Sequence, residues 1–124
     1  MTNWEVMAAM AAAIGVWFCL KRMSWISSTR AQSCLQEGAV VVDVRTSAEF
    51  RAWHLPDALN IPLDSLLDAA PRQIPDKQRV ILLHCRSGTR SGIARSELKS
   101  LGYKSVFNLG SLGRAQRIVQ KQRD

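Results

Sequence analysis

Two uninterrupted apolar runs constrain the fold of this chain more than any other feature. Residues 39–44 read Ala-Val-Val-Val-Asp-Val and residues 79–84 read Arg-Val-Ile-Leu-Leu-His. Such runs lack the polar alternation of a half-exposed strand and are typical of strands buried on both faces. Shorter strands are predicted at 59–61 and 105–109. Because helical patterns separate these strands, the sequence predicts an α/β domain around a mainly parallel sheet.

Local signals position the helices. Thr46-Ser47-Ala48-Glu49 fits a capping box, which predicts a helix from Ser47 to about Trp53. Gly102 is expected to end the helix at 91–101. Residues 71–76 are expected to form a loop. The remaining helices are expected at 29–37, 63–70, 91–101 and 112–122.

The beginning of the chain is apolar and has to be set apart from this domain. Residues 6–20 carry no charge. Extended to Trp4 and Ile26, the segment is long enough to cross a hydrocarbon core of about 30 Å as a helix. Trp4 and Trp25 are then expected in the two interfacial regions.

The charges around this segment favour a retained anchor. A signal peptide carries positive charge before its apolar run, whereas here Glu5 precedes the run and Lys21, Arg22 and Arg30 follow it. The positive-inside rule then predicts a single pass through the cell membrane and a cytoplasmic domain. The expected division is 1–27 for the anchor and 28–124 for the domain. A cleaved export signal, which would leave the domain in the periplasm, and a soluble amphipathic helix are the alternatives.

The net charge of +7 raises the question of an anionic partner. The basic residues are scattered, apart from Arg114, Arg117, Lys121 and Arg123 near the end of the chain. This run is interpreted as a solvated helix face, with small anions or acidic lipid head groups as alternative partners. No nucleic-acid partner is expected.

Cys85 is the candidate nucleophile, since it follows a predicted strand and opens the loop Cys85-Arg86-Ser87-Gly88-Thr89-Arg90. Ligand crevices lie at this edge of parallel sheets. A loop that leads into a helix directs several backbone N–H groups at one point, and Gly88 permits the close approach. Arg86 and Arg90 add positive charge, and these effects together lower the pKa of a thiol. Cys34 is interpreted as a bystander rather than a resolving thiol.

Three ordered motifs resemble those of the rhodaneses. Residues 85–91 resemble the family's active-site loop, and residues 42–50 resemble its Asp-x-Arg-x-x-x-Glu-Phe signature. Residues 54–62 are similar to its segment Gly-His-Ile-x-Gly-Ala-x-Asn-Ile-Pro. The resemblance spans about residues 28–118 and is closest to the small single-domain rhodaneses of bacteria, including phage-shock-type thiosulfate sulfurtransferases. It implies a three-layer rhodanese-like domain, here preceded by an apolar helix.

The resemblance also implies a reaction. Cys85 would take the sulfane sulfur of thiosulfate or a persulfide donor, and a thiol, cyanide or a protein cysteine would remove it by double displacement. Neither a metal nor a cofactor is implied. The loop residues Arg86, Ser87, Gly88, Thr89 and Arg90 would bind the donor, with Arg86 favoured as the anion-binding side chain and Arg90 either sharing that role or bracing the loop.

Residues outside the loop are expected to support it. By resemblance His54 lies in a turn facing the pocket, where a structural role is favoured over catalysis. Asp43 is expected to orient the loop, and Arg45 is expected to pair with Glu49. Trp53 and Asp57 stand where the family commonly has glycine, which leaves donor preference open.

Two other functions stay open. Tyrosine phosphatases carry His-Cys-x5-Arg, whereas Arg90 follows His84-Cys85 after only four residues. The shorter loop favours sulfur over a phosphoryl group, so a phosphatase or arsenate reductase is the weaker alternative. A rhodanese fold that binds a partner or relays sulfur, without turning over thiosulfate, is the other.

Overall fold

The computed structural model describes residues 2–124, except for the side chains of 21–23. The chain begins with helix α1 (Asn3–Met23), whose described side chains are all exposed. Residues 3–20 have a mean hydropathy of 1.4, so by length and composition they could cross a membrane or act as a signal sequence. Lys21 and Arg22, on which the predicted orientation partly depends, have side chains outside the described residues.

Helices and strands alternate after α1. The helices are α2 (Ser28–Gln36), α3 (Ser47–Ala52), α4 (Leu66–Gln73), α5 (Thr89–Ser100) and α6 (Leu112–Arg123). The strands are β1 (Val40–Asp43), β2 (Leu59–Asn60), β3 (Ile81–His84) and β4 (Val106–Gly110). A 3-10 turn (Leu63–Ser65) precedes α4. The capping box predicted at the start of α3 is confirmed, since the Thr46 side chain accepts from the Glu49 N–H and the Glu49 side chain accepts from the Thr46 N–H.

The four strands form one parallel sheet in the order β2-β1-β3-β4, so β1 and β3 are central. Alternate side chains enter two separate cores, as the pleat of a strand requires. Val42 and Leu83 pack with α4 and α5, whereas Val41 and Leu82 pack with α2 and α6. This three-layer arrangement confirms the predicted α/β fold with an N-terminal apolar helix.

Several predicted boundaries are wrong. The span predicted from Trp4 to Ile26 ends too late, because Ile26 is buried with α2 and α6 and its N–H donates to Asn108 O. The loop predicted at 71–76 starts too early, because α4 continues through Pro71. Proline removes one helical hydrogen bond there, and the carbonyl that loses it belongs to Leu67, whose side chain is exposed. Finally, α5 begins at Thr89 rather than at residue 91.

Candidate active site

Cys85 lies directly after the central strand β3, at the edge where the parallel strands end. The residue is fully buried and belongs to the core between the sheet, α4 and α5. Its N–H donates to Gly110 O at the end of β4 (3.3 Å). The nucleophile predicted from the sequence therefore sits on a rigid element at the carboxyl end of the sheet, where ligand crevices of α/β folds occur.

Hydrogen-bond donors converge on the sulfur of Cys85. The Gly88 N–H donates to Sγ at 3.0 Å, and the Ser91 hydroxyl lies 3.5 Å from Sγ. Burial raises the pKa of the Cys85 thiol, but hydrogen bonds from the Ser91 side chain and from the backbone of Ser91, Gly88 and Ser87 outweigh it and lower the pKa below its ordinary value. These donors stabilise the thiolate, which is the nucleophilic form.

Gly88 makes this geometry possible. It caps the N-terminus of α5 with φ +93°, a left-handed conformation that favours glycine. This turn directs the Gly88 N–H at the sulfur. It also brings the N-terminal end of α5, which carries a partial positive charge, next to the loop. A side chain at this position would be strained.

The opposite side of the loop is tied to the connection between β4 and α6. The Leu112 N–H donates to Arg86 O (3.1 Å), and Ser87 forms an antiparallel bridge with Ser111. The Asn108 side-chain amide donates to Gly88 O (3.1 Å), and its Oδ1 lies 2.7 Å from the Ser91 hydroxyl. Asn108 therefore holds the loop and the first turn of α5 together.

The two arginines of the loop differ in their surroundings. Arg90 donates to both carboxylate oxygens of Glu49 (2.7 and 3.1 Å), so it braces α5 against α3. The side-chain hydrogen bond from Arg90 is the main reason that the pKa of Glu49 falls from 4.5 to about 2. Arg86 is exposed, and within the described residues no ion pair holds its side chain. Arg90 thus pairs with α3, and its role toward a donor stays a prediction.

The neighbouring loop after β1 contains a buried ion pair. Arg45 donates to Asp43 through Nε and Nη2, at 2.7 Å for the shortest contact, and Nη2 also donates to Trp53 O. The expected pair between Arg45 and Glu49 is therefore wrong. The Asp43 carboxylate also accepts the Arg45 backbone N–H (2.9 Å), which closes a compact turn. This turn holds the carboxylate beside the Arg45 guanidinium.

His84 lies between the two loops and is fully buried. Its Nδ1 lies 3.2 Å from Cys85 O, and its Nε2 lies 3.8 Å from Asp43 Oδ2. Burial lowers the pKa of His84 below its usual value, although Asp43 opposes this shift. The ring therefore contacts the Cys85 backbone through Nδ1, whereas its buried Nε2 has no hydrogen-bond partner among the described residues.

His54 and the two substituted glycine positions lie on the exposed turn after α3. The His54 ring stacks on Phe50 (3.8 Å between centroids), and its Nδ1 lies 2.8 Å from Phe50 O. Asp57 has φ +64°, the left-handed conformation in which glycine would be unstrained, and its carboxylate pairs with Arg123. Trp53 lines a cavity of about 300 Å³ together with α6.

Sequence reasoning did not assign three residues at this site. Ser91 is the last residue of the motif at 85–91, but the sequence did not indicate its contact with the sulfur. Asn108 belongs to a strand that offers no local signal. Trp25 was assigned to a membrane interface, but its ring packs on Gly88 and Gly110 at the loop.

The chain matches known proteins over this region. The rhodanese-like domain family matches residues 27–112. Thiosulfate sulfurtransferase PspE of Escherichia coli (strain K12) is 34% identical over 71 residues, which cover 57% of this chain and 68% of that protein. A sulfurtransferase of Allochromatium vinosum is 41% identical over 73 residues, 59% of this chain and 66% of its own length. The solved structure of human single-domain sulfurtransferase TSTD1 has a TM-score of 0.64 at 28% identity, over 79% of this chain and 96% of that one.

Proposed function

Because the chain belongs to the rhodanese-like domain family, we propose that it moves a sulfane sulfur from thiosulfate or a persulfide to a thiophilic acceptor through a persulfide on Cys85. Its similarity to named sulfurtransferases supports sulfur transfer in general. The observation that carries the finer proposal is the Gly88 N–H directed at Cys85 Sγ at 3.0 Å, in a loop that lowers the pKa of the thiol.

In the first half-reaction, the Cys85 thiolate attacks the outer sulfur of thiosulfate. A bond forms between Sγ and that sulfur, the S–S bond of the donor breaks, and sulfite leaves with the electron pair. The terminal sulfur of the resulting persulfide carries the negative charge. The donors that stabilise the thiolate, including the N-terminal end of α5, are suited to hold this charge as well.

In the second half-reaction, an acceptor attacks the terminal sulfur. The acceptor is a thiolate, a protein cysteine or cyanide, and the Cys85 thiolate leaves with the electron pair. The lowered pKa of Cys85 makes its thiolate a good leaving group as well as an available nucleophile. The two steps form a double displacement with no metal or cofactor.

The proposed roles of the other residues follow from their contacts. Arg86 meets the anionic donor, because its side chain is exposed and no ion pair holds it among the described residues. The backbone of Ser87, Gly88 and Thr89 shapes the binding loop. The residues proposed to support the loop rather than to react are Arg90, Asp43, Arg45 and His54.

We also propose that α1 attaches the enzyme to the cell membrane with its domain in the cytoplasm. The apolar, exposed segment of residues 3–20 supports this proposal. A cleaved export signal is the competing role for the same helix, and the N-terminal sequence of the mature protein separates the two, since cleavage would remove the apolar segment. The folded domain would begin at Trp25, because that residue already contacts Gly88 and Gly110.

Mass spectrometry of the intact chain tests the reaction. After incubation with thiosulfate the wild type should gain about 32 Da, the mass of one sulfur atom. Cyanide should remove the gain and yield thiocyanate. Cys85→Ser should show no gain and should lower turnover by more than about 1000-fold. Cys34→Ser, a matched substitution on α2, should behave like the wild type.

Two results would contradict the proposal. An adduct that persists in Cys85→Ser would place the sulfur on another cysteine. Turnover of an aryl phosphate without any sulfur adduct would favour phosphatase chemistry instead.

A further inference from the structure

Trp25 occupies a position that connects the N-terminal helix to the active-site loop. It follows the last residue of α1, Met23, by two positions. The next residue, Ile26, donates its N–H to Asn108 O at 2.9 Å, which fixes this segment beside β4. Trp25 lies outside the part of the chain that matches the rhodanese-like domain family, which begins at residue 27.

The indole ring packs against two glycines of the site. A Cβ atom at Gly88 would lie 2.5 Å from Trp25 Cζ2, and one at Gly110 would lie 2.6 Å from both Cδ2 and Cε3. These distances are too short for any side chain, so the ring lies directly on both backbones. Both glycines also have φ +93°, a conformation that favours glycine. Glycine is therefore needed at both positions for two reasons, the backbone conformation and the contact with the ring.

The two glycines that Trp25 contacts are those that fix Cys85. The Gly88 N–H donates to Cys85 Sγ, and Gly110 O accepts from the Cys85 N–H. Movement of either backbone would therefore lengthen a hydrogen bond to the nucleophile.

Packing, rather than a hydrogen bond, holds the indole in place. Its Nε1 is buried and has no hydrogen-bond partner within the described part of the chain. The Arg114 guanidinium lies 5.6 Å from the ring centroid, and it donates to Leu109 O and Ile26 O on either side. The half-buried ring thus contacts both glycines and lies near the Arg114 guanidinium.

We propose that Trp25 is a positioning residue for Cys85, whose indole ring holds Gly88 and Gly110 so that the Gly88 N–H stays directed at Sγ. Through this contact, the segment that ends α1 takes part in the reactivity of the thiol. The effect on sulfur transfer rests on the proposed function, whereas the effect on thiol reactivity does not.

The test compares the pH dependence of Cys85 alkylation by iodoacetamide in the full-length chain. Cys19→Ser and Cys34→Ser are present throughout, so that only Cys85 reacts. The variants are Trp25→Ala and Trp25→Phe, and the matched control is Trp53→Ala, which removes an exposed tryptophan on the turn after α3. Thermal melting of each variant verifies the fold, and Trp25→Leu replaces Trp25→Ala if the latter does not fold.

Trp25→Ala should move the midpoint of the alkylation profile to higher pH and slow alkylation at pH 7 by about tenfold, because a weakened hydrogen bond stabilises the thiolate less. Trp25→Phe keeps an aromatic ring over the glycines and should stay within about twofold of the wild type, as should Trp53→Ala. Turnover with thiosulfate should fall in parallel with alkylation. If the wild type forms no sulfur adduct, the proposed function is refuted. The alkylation profiles then still decide the role of Trp25.

Three outcomes would overturn the inference. A folded Trp25→Ala with an unchanged midpoint would show that the ring does not position the loop. A faster limiting rate at high pH with the same midpoint would make Trp25 a cover over the thiol instead. An equal loss in Trp25→Phe and Trp25→Ala would show that an aromatic ring packed on the two glycines is not what positions the loop.

Discussion

The loops after β1 and β3 leave the same edge of the sheet but use their polar groups in opposite ways. After β1, Asp43 and Arg45 form a buried ion pair in which the charge of each residue is matched. After β3, the Gly88 N–H donates to Cys85 Sγ and the Ser91 hydroxyl lies 3.5 Å from it, whereas Arg90 at the end of the loop pairs with Glu49. The first loop neutralises its own charges, whereas the second directs hydrogen-bond donors at a sulfur atom that can become negatively charged.

This difference separates rigidity from reactivity. A buried, matched ion pair keeps a turn in one conformation, but it offers nothing to a ligand. Backbone N–H groups around a thiol stabilise negative charge whether it belongs to the thiolate or to a sulfur bound to it. Glu49, on the helix that follows the first loop, pairs with Arg90 at the end of the second loop. This ion pair joins the two loops.

Removing the charge of Asp43 should have the largest effect on stability. Asp43→Asn leaves the Arg45 guanidinium buried without its anion, and breaking such a pair typically lowers the free energy of unfolding by about 3–5 kcal/mol. The side chains of Asp43 and Arg45 are 0% and 6% exposed, so solvent cannot replace the lost partner. Urea denaturation followed by circular dichroism measures the change.

The control for this variant is Asp68→Asn. Asp68 pairs with Arg72 on α4, where both side chains are largely exposed, and surface pairs of this kind contribute little. Equal destabilisation by the two substitutions would contradict the assignment of a rigid, charge-matched loop after β1.

Removing the Ser91 hydroxyl should change reactivity more than stability. Ser91→Ala deletes a hydrogen bond that lowers the pKa of Cys85, so the pKa rises, less thiolate is present at pH 7, and alkylation slows by up to about tenfold. The free energy of unfolding should change by less than about 1 kcal/mol, because Asn108 Oδ1 still accepts from the Gly110 N–H. The pH profile of alkylation and urea denaturation give the two values.

Ser100→Ala is the matched control, since Ser100 lies at the other end of α5 and its hydroxyl donates to Glu97 O. This control should leave the alkylation profile unchanged. A stability loss in Ser91→Ala as large as that of Asp43→Asn would show that the two loops do not differ as described.

The sequence predicted those parts of the site that depend on neighbouring residues. Buried strands, the capping box at Thr46 and the position of Cys85 at a strand end all follow from short patterns, and the structure has all three. The loop glycine was also expected, and Gly88 has the positive φ that the turn requires.

Contacts between distant residues could not be predicted in this way. Glu49 was assigned to Arg45, four positions away, but it pairs with Arg90, which lies 41 positions along the chain. Trp25 follows an apolar run and was therefore assigned to a membrane interface, although its ring packs on residues far away in sequence. In both cases a local interaction was physically reasonable, and the tertiary fold offered a better one.

The link between the two loops supplies the smallest expected effect, and it depends on pH. The pKa of Glu49 is about 2 in the folded chain against 4.5 ordinarily, so its carboxylate stabilises the fold above pH 4.5 and this contribution is lost as the pH falls towards 2. Because Glu49 and Arg90 are 26% and 34% exposed, solvent screening leaves about 1 kcal/mol. Glu49→Gln should remove this part of the acid dependence in urea denaturation at pH 5 and pH 3, whereas Glu37→Gln, an exposed charge on the turn after α2, should keep it. If Glu49→Gln and the wild type lose the same stability between these pH values, the ion pair does not join the loops.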